Sequence, residues 1–257
     1  LDRNLTENYN AMRRLLSDNP DLKEYYAQDT YAQLPCTTAT EMLRDLQKRM
    51  DTAFPTLYPH LPSITVKSVS PDLQDYSAPA FYLTTPLDAS DINVIYMNPK
   101  NSPDGLELYT TLAHEGFPGH LYQTVYNNRR FLRHGENKVR ELLWYGGYLE
   151  GWALYVEFLS YDYAQTILQE QGRPEDALCA ELEKHNRNIL LCLYSRLDIM
   201  IHYDNASRED IAEYLETFSI HNASAVNTVY NYIADEPCNY LKYYLGYLEI
   251  LELKKAL

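Results

Sequence analysis

The sequence predicts a predominantly helical α+β fold, in which a small sheet at about residues 64–97 packs on a helical body. Three observations carry that expectation. Most of the 257 residues follow a helical pattern broken by short turn signals. Three β-like runs crowd between residues 56 and 103, where most of the prolines also fall. The strands lead directly into a helical stretch whose polar residues are of the kind that perform chemistry.

The N-terminal part, residues 1–55, reads as helical. The pattern Thr38-x-x-Glu41 is a capping box that opens a helix ending near Pro55. The β region, 56–103, holds runs at Ile64 to Val69, Ala80 to Thr84 and Asn93 to Met97. The helical body, 104–257, is broken near 128–137, at Gly172-Arg173-Pro174, at Asn205-Ala206-Ser207 and around Asp235-Glu236-Pro237, and Ser207-x-x-Asp210 resembles a further N-terminal cap. Together these parts read as one domain, 1–257, large enough to bury a substantial core.

A formal charge of -14 excludes the basic footprint that nucleic acid or an anionic membrane surface requires. The apolar runs fall short of the roughly 20 residues that cross a bilayer. Cys36, Cys179, Cys192 and Cys238 form no CxxC pair. Cys179 and Cys192 share one predicted helix, about 20 Å apart, too far for a disulfide. The chain starts at Leu1 with a polar, helix-like stretch, so it reads as a fragment whose targeting segment lies outside it.

Chemistry concentrates in His114-Glu115-Gly116-Phe117-Pro118-Gly119-His120. A zinc peptidase needs neutral imidazoles and a third protein ligand, an open position for water, and a carboxylate that takes the proton from that water. HExxH satisfies this because residues four apart share a helix face. Here the second histidine comes two places late. On an ideal helix His120 would stand some 120° around the axis from His114, and the two would diverge. Pro118 lacks an N–H and Gly119 tolerates unusual backbone angles, so the helix is expected to break or bulge here, which can return His120 to the site. Glu150, about 30 residues downstream on the next long helix, stands where a third zinc ligand is expected in a protein built like thermolysin. Glu157 lies seven residues further on the same face, placed to hold the other nitrogen of a ligand histidine, and Gln123 is a second candidate for such support.

The pattern His-Glu-x-x-Pro-Gly-His-x-x-Gln, from His114 to Gln123, and Glu-Gly-Trp-Ala-x-Tyr-x-Glu, from Glu150 to Glu157, resembles the bacterial domain-of-unknown-function 885 family. The stretches from Arg196 through Asp198 to His202, and from Pro237 through Leu241 and Tyr243 to Gly246, fit the same family. The resemblance runs over nearly the whole chain, which looks like the C-terminal half of a typical member. It implies a zincin-like, gluzincin-like metallopeptidase domain with one Zn2+ held by His114, His120 and Glu150, and Glu115 as general base on the metal-bound water. It further implies His202 and Tyr243 as donors to the oxyanion. Cys238-Asn239-Tyr240 stands where the family has Gly-Gln-Ala, which keeps Tyr240 and Tyr244 as alternatives to Tyr243.

The implied substrate is a peptide, laid in extended form along an edge strand at Phe81 to Thr84 or Asn93 to Met97. An exported, lipoprotein-type cell-envelope location is favoured over the cytoplasm. Two other classes stay open: a degenerate, non-catalytic binding module of the same fold, and a zinc hydrolase of non-peptide amides or esters. The residues do not distinguish an endopeptidase from an exopeptidase.

Overall fold

The computed structural model describes residues 1–28, 30–31, 33–86, 89, 91–134 and 143–257, with backbone alone for 131–134. It is mostly helical, with one small sheet. In chain order the elements are α1 (Asp2–Asp18), α2 (Leu22–Tyr26), α3 (Ala39–Ala53), β1 (Ser63–Ser68), a 3₁₀ turn (Pro71–Leu73), β2 (Ala80–Leu83) and β3 (Ile92–Met97). They continue with α4 (Gly105–Glu115), α5 (His120–His134), α6 (Gly146–Glu170), α7 (Pro174–His202), α8 (Arg208–Glu216), α9 (Ala223–Asp235) and α10 (Asn239–Ala256). No helix among the described residues is long and apolar enough to cross a membrane.

The local signals explain most of these boundaries. Thr38 accepts from Glu41 N while Glu41 accepts from the Thr38 backbone, the reciprocal bonds of a capping box, and α3 ends two residues before Pro55. Ser207 and Asp210 do the same for α8. Asn205 takes a left-handed φ of 57° just after α7, where Ala206 N reaches back to Met200 O and closes the helix end. The break expected near 128–137 begins later: α5 continues to His134, and the rest of that interval lies outside the described residues. The turn between α8 and α9, where Ser219 has φ 63°, carries no Gly or Pro and was not legible as a break.

The contacts group into two compact units interleaved along the chain. The first comprises Leu1–Asn19, Gly146–Gly151 and Leu182–Leu257, and the second Pro20–Tyr145 and Trp152–Glu181.

In the second unit the sheet has the order β1-β3-β2, with β1 parallel and β2 antiparallel to β3. This corrects one expectation: the Asn93 to Met97 run is the central strand, paired on both sides, and has no edge to offer a peptide. β2 is an edge. Asn98 N donates to Pro79 O, so by antiparallel alternation Phe81 and Leu83 turn their backbone groups toward β3, and Tyr82 turns its own outward. The Tyr82 ring is buried and its hydroxyl donates to Asn93 Oδ1 at 2.7 Å, which fixes the strand against the sheet. Helix α3 presents Met42, Leu43, Leu46 and Met50 to the core, and α4 packs against it with Leu112 and Ala113 fully buried. Across this face Tyr109 donates to Asp45 Oδ2 at 2.6 Å, and Arg49 donates to the same oxygen at 2.8 Å. Burial and the neighbouring carboxylate push the Tyr109 phenol far above its ordinary range, so it stays a protonated donor.

In the first unit α10 crosses the start of α6 at glycines. A Cβ added to Gly246 would lie 2.0 Å from Gly147 O, and one added to Gly151 would lie 2.3 Å from Gly246 C. The backbones therefore touch, and only glycine permits it. All four cysteines are free thiols, with Cys179 and Cys192 buried.

Replacing Gly246 with Ala is expected to cost about 1–3 kcal/mol through overpacking, read as a lower urea midpoint. An unchanged midpoint would contradict the close crossing.

Candidate metal centre

The site is built at the junction of α4 and α5. Helix α4 stops at Glu115 because the chain turns at Gly116, whose φ of -108° and ψ of -104° leave the helical region. A Cβ there would meet Leu43 Cδ2 at 2.6 Å and Leu112 O at 2.8 Å, so this residue too is constrained to glycine by its neighbours. The Phe117-Pro118 bond is cis, and α5 begins at His120. Gly119 presses on the last turn of α4: an added Cβ would lie 1.8 Å from His114 O and 2.3 Å from Ala113 O.

This turn does what the sequence required of it. Instead of diverging by 120°, the His114 and His120 rings stand edge to face with centroids 4.9 Å apart. One ligand atom each from His114, Glu115 and His120 falls within 4.8 Å of the others. Oxygen and nitrogen ligands of one tetrahedral zinc at about 2.0–2.2 Å are themselves a little over 3 Å apart, so this cluster is close to coordinating dimensions.

Each member is held from outside. His114, 9% exposed, shares its Nδ1 with Glu157 Oε2 at 2.9 Å. A carboxylate there makes Nδ1 the protonated nitrogen and leaves Nε2 as the lone-pair donor. Glu157 is itself buried, on α6, and its backbone carbonyl accepts from Ser160 Oγ at 2.7 Å. Glu115 Oε2 accepts from Tyr82 N at 2.8 Å, using the outward N–H of the edge strand β2. The residues between the histidines are held by Trp152, whose indole Nε1 donates to Pro118 O at 2.8 Å.

The sequence had named His114, Glu115 and His120, and the structure brings these three together. It had offered Glu157 as a supporting residue, and Glu157 does bond His114. Gln123 is buried on α5. The bond from Tyr82 to Glu115 was not foreseen, because it comes from a backbone N–H and no side-chain pattern encodes it. Trp152 was visible only as part of the longer motif.

Glu150, His202 and Tyr243 belong to the first unit. Glu150 lies in the first turns of α6, and its Oε2 is shielded from solvent. His202 is exposed at the end of α7, with Nε2 bonded to Ile233 O at 3.0 Å. A carbonyl partner makes Nε2 the protonated nitrogen. Tyr243 is part-buried on α10 with Lys242 Nζ 5.2 Å from its ring centroid. Of its alternatives, Tyr244 is fully buried and donates its hydroxyl to Asn188 Oδ1, which makes it a core residue. Tyr240 packs edge-on against Tyr194 at 4.8 Å, and burial together with Tyr232 raises its phenol well above the ordinary range.

Asp198, one turn before His202, is 1% exposed. Its Oδ1 accepts from Cys238 N at 3.2 Å at the start of α10, and its Oδ2 is buried without a hydrogen-bond partner. Burial raises its carboxyl above the ordinary 3.8, against the pull of the Cys238 N–H and of His202.

A chain in which a small mixed sheet leads into paired helices carrying a His-Glu-His cluster has the architecture of a helical α+β protein with a candidate metal centre. The chain belongs to the family described as bacterial protein of unknown function (DUF885), whose model matches residues 3–257. No curated protein matches it. A crystal structure from Colwellia psychrerythraea, described as a candidate lipoprotein, shares its fold with a TM-score of 0.70 and 22% identity, over 99% of this chain and 44% of that one. A second, from Shewanella oneidensis and described as a candidate lipoprotein of unknown function, has a TM-score of 0.63 and 15% identity, over 99% of this chain and 50% of that one. The chain thus spans about half the length of the solved structures it resembles.

Two outcomes are expected. Glu157→Gln should weaken zinc binding about 10- to 100-fold by calorimetric titration, because the His114 ring loses its charged anchor; wild-type affinity would contradict the role. Asp198 binds its proton more tightly folded than unfolded, so the native state holds more protons between the two pKa values and stability falls as pH rises through that window. Asp198→Asn should remove that part of the slope in urea midpoints measured from about pH 4 to about pH 7, whereas parallel curves for variant and wild type would contradict it.

Proposed function

We propose that the protein is a zinc-dependent hydrolase of peptide bonds, with one ion held by His114, His120 and Glu150 and with Glu115 as the general base. The observation that carries the reading is the convergence of His114, Glu115 and His120 within 4.8 Å while the far nitrogen of His114 is tied to Glu157. Two imidazoles, a carboxylate and a buried supporting carboxylate form a donor set suited to zinc and ill suited to calcium or magnesium, which take oxygen.

The bound metal supplies Lewis acidity, which polarises a scissile carbonyl and makes water a better nucleophile at neutral pH. The remaining chemistry belongs to the chain. Tyr82 N–H occupies one lone pair of Glu115 Oε2, and the carboxylate has further lone pairs with which to accept a proton. Glu115 takes a proton from that water as its oxygen bonds to the carbonyl carbon, and returns the proton to the nitrogen as the C–N bond breaks. Donors for the oxyanion are assigned to Tyr243 and His202. With Nε2 already given to Ile233 O, His202 has a second N–H to offer only as the imidazolium. The Tyr243 hydroxyl is a donor without that requirement.

Of the two candidate edges, β2 alone suits an extended peptide, since among the described residues no strand pairs with its outer side, where the Tyr82 N–H meets the base. The strongly acidic chain disfavours nucleic acid as a substrate. An exported cell-envelope location is supported by the description of both solved relatives as candidate lipoproteins.

Protein purified without chelator should carry about one zinc per chain. Glu115→Gln should keep the metal and lose cleavage of short peptides at least about 100-fold. Absence of zinc from the wild type would sink the ligand assignment. Equal cleavage by both proteins would remove Glu115 as base, and turnover of amides or esters with none of peptides would select the non-peptide hydrolase.

A further inference from the structure

The link between α4 and α5 has a backbone accounting problem. Inside a helix the carbonyl of residue 118 would accept from residue 122. Here Tyr122 N goes instead to Gly116 O at 3.2 Å, and Gln123 N goes to Gly119 O at 2.9 Å. The chain's own helix therefore supplies no N–H to Pro118 O. A buried carbonyl left so would cost about as much as a lost hydrogen bond. Pro118 is buried, and its oxygen is met by a side chain, Trp152 Nε1 at 2.8 Å.

That single bond sits at a decisive place. Gly119 is already pressed on His114 O on one side of the link, and the Trp152 bond holds the adjoining residue on the other. The next residue is His120. The indole is itself immobilised by three aromatic neighbours: Phe54 edge-on at 5.8 Å, Tyr122 stacked at 6.4 Å and Tyr155 at 6.0 Å. Five residues further along α6, about 7.5 Å up the helix, Glu157 holds His114.

We infer that Trp152 is a positioning residue for His120. Through its N–H it fixes the Pro118-Gly119 link, and with Glu157 it makes one helix, α6, the template on which both imidazoles are set. Trp152 acts through the backbone that precedes His120, and Glu157 acts through the His114 ring. The inference concerns the geometry of the histidine pair; only its metal readout rests on the zinc reading.

The test compares Trp152→Phe, which deletes the N–H and keeps an aromatic ring, with Phe54→Leu, which loosens the same aromatic cluster and keeps the N–H. In metal-free protein an NOE between the His114 and His120 imidazole protons, expected from rings 4.9 Å apart, should persist in wild type and Phe54→Leu and disappear in Trp152→Phe. By calorimetric titration with zinc, Trp152→Phe should bind at least about tenfold more weakly and Phe54→Leu within about twofold of wild type. An NOE that survives in Trp152→Phe would overturn the inference. So would equal loss of affinity in both variants, since that would reduce Trp152 to packing. A wild type that shows the NOE and binds no zinc would uphold the positioning role and defeat the proposed function.

Discussion

The structure around the candidate centre depends on one contact, the pressing of Gly119 against the carbonyl end of α4. A Cβ at that position would sit 1.8 Å from His114 O, well inside van der Waals distance. Only glycine lets the chain turn back so tightly that α5 starts beside the residue it would otherwise leave behind. The turn at Gly116 ends the first helix, Pro118 has no N–H with which to resume it, and Trp152 takes up the Pro118 carbonyl. Everything distinctive about the site follows from that turn: the edge-to-face histidines, the approach of Glu115 to both, and the need for α6 to brace the pair from the far side.

The brace explains why the functional motif extends well past the histidines. Glu157 and Trp152 belong to one helix and contact two different parts of the α4–α5 junction, one a side chain and the other a backbone carbonyl. The edge strand β2 contributes a third restraint by lending its outward Tyr82 N–H to Glu115. Each of the three central residues is thus positioned from outside α4 and α5: His114 by Glu157 and the link to His120 by Trp152, both on α6, and Glu115 by Tyr82 on β2. Such external support holds side chains in a fixed mutual geometry.

Much of this was legible in the sequence because it rests on local chemistry. Thr38 with Glu41, and Ser207 with Asp210, are caps whose side chains bond within three residues, so their pattern is also their structure. The three strands fall within one or two residues of the runs rich in Val, Ile and aromatics. The Pro118-Gly119 break was expected from an absent N–H and a permissive backbone. Strand order was not legible: nothing local to Asn93 to Met97 distinguishes a central strand from an edge, since that depends on what pairs with its two sides. The Tyr82 bond to Glu115 was hidden for the same reason, being a backbone donor brought 33 residues along the chain by the sheet. The exposure of His202 has no local signal, because its neighbours Ile199, Met200 and Ile201 are apolar; it follows from its place as the last residue of α7, where it turns to the end of α9.

The central claim is that a broken helix, and not the usual four-residue spacing, presents two imidazoles to one metal. X-ray absorption at the zinc edge of the metal-loaded protein tests it most directly. The account predicts two imidazole ligands on a single ion at about 2.0–2.1 Å, falling to one in His120→Ala. A wild-type spectrum with one imidazole or none, or one unchanged by His120→Ala, would contradict it.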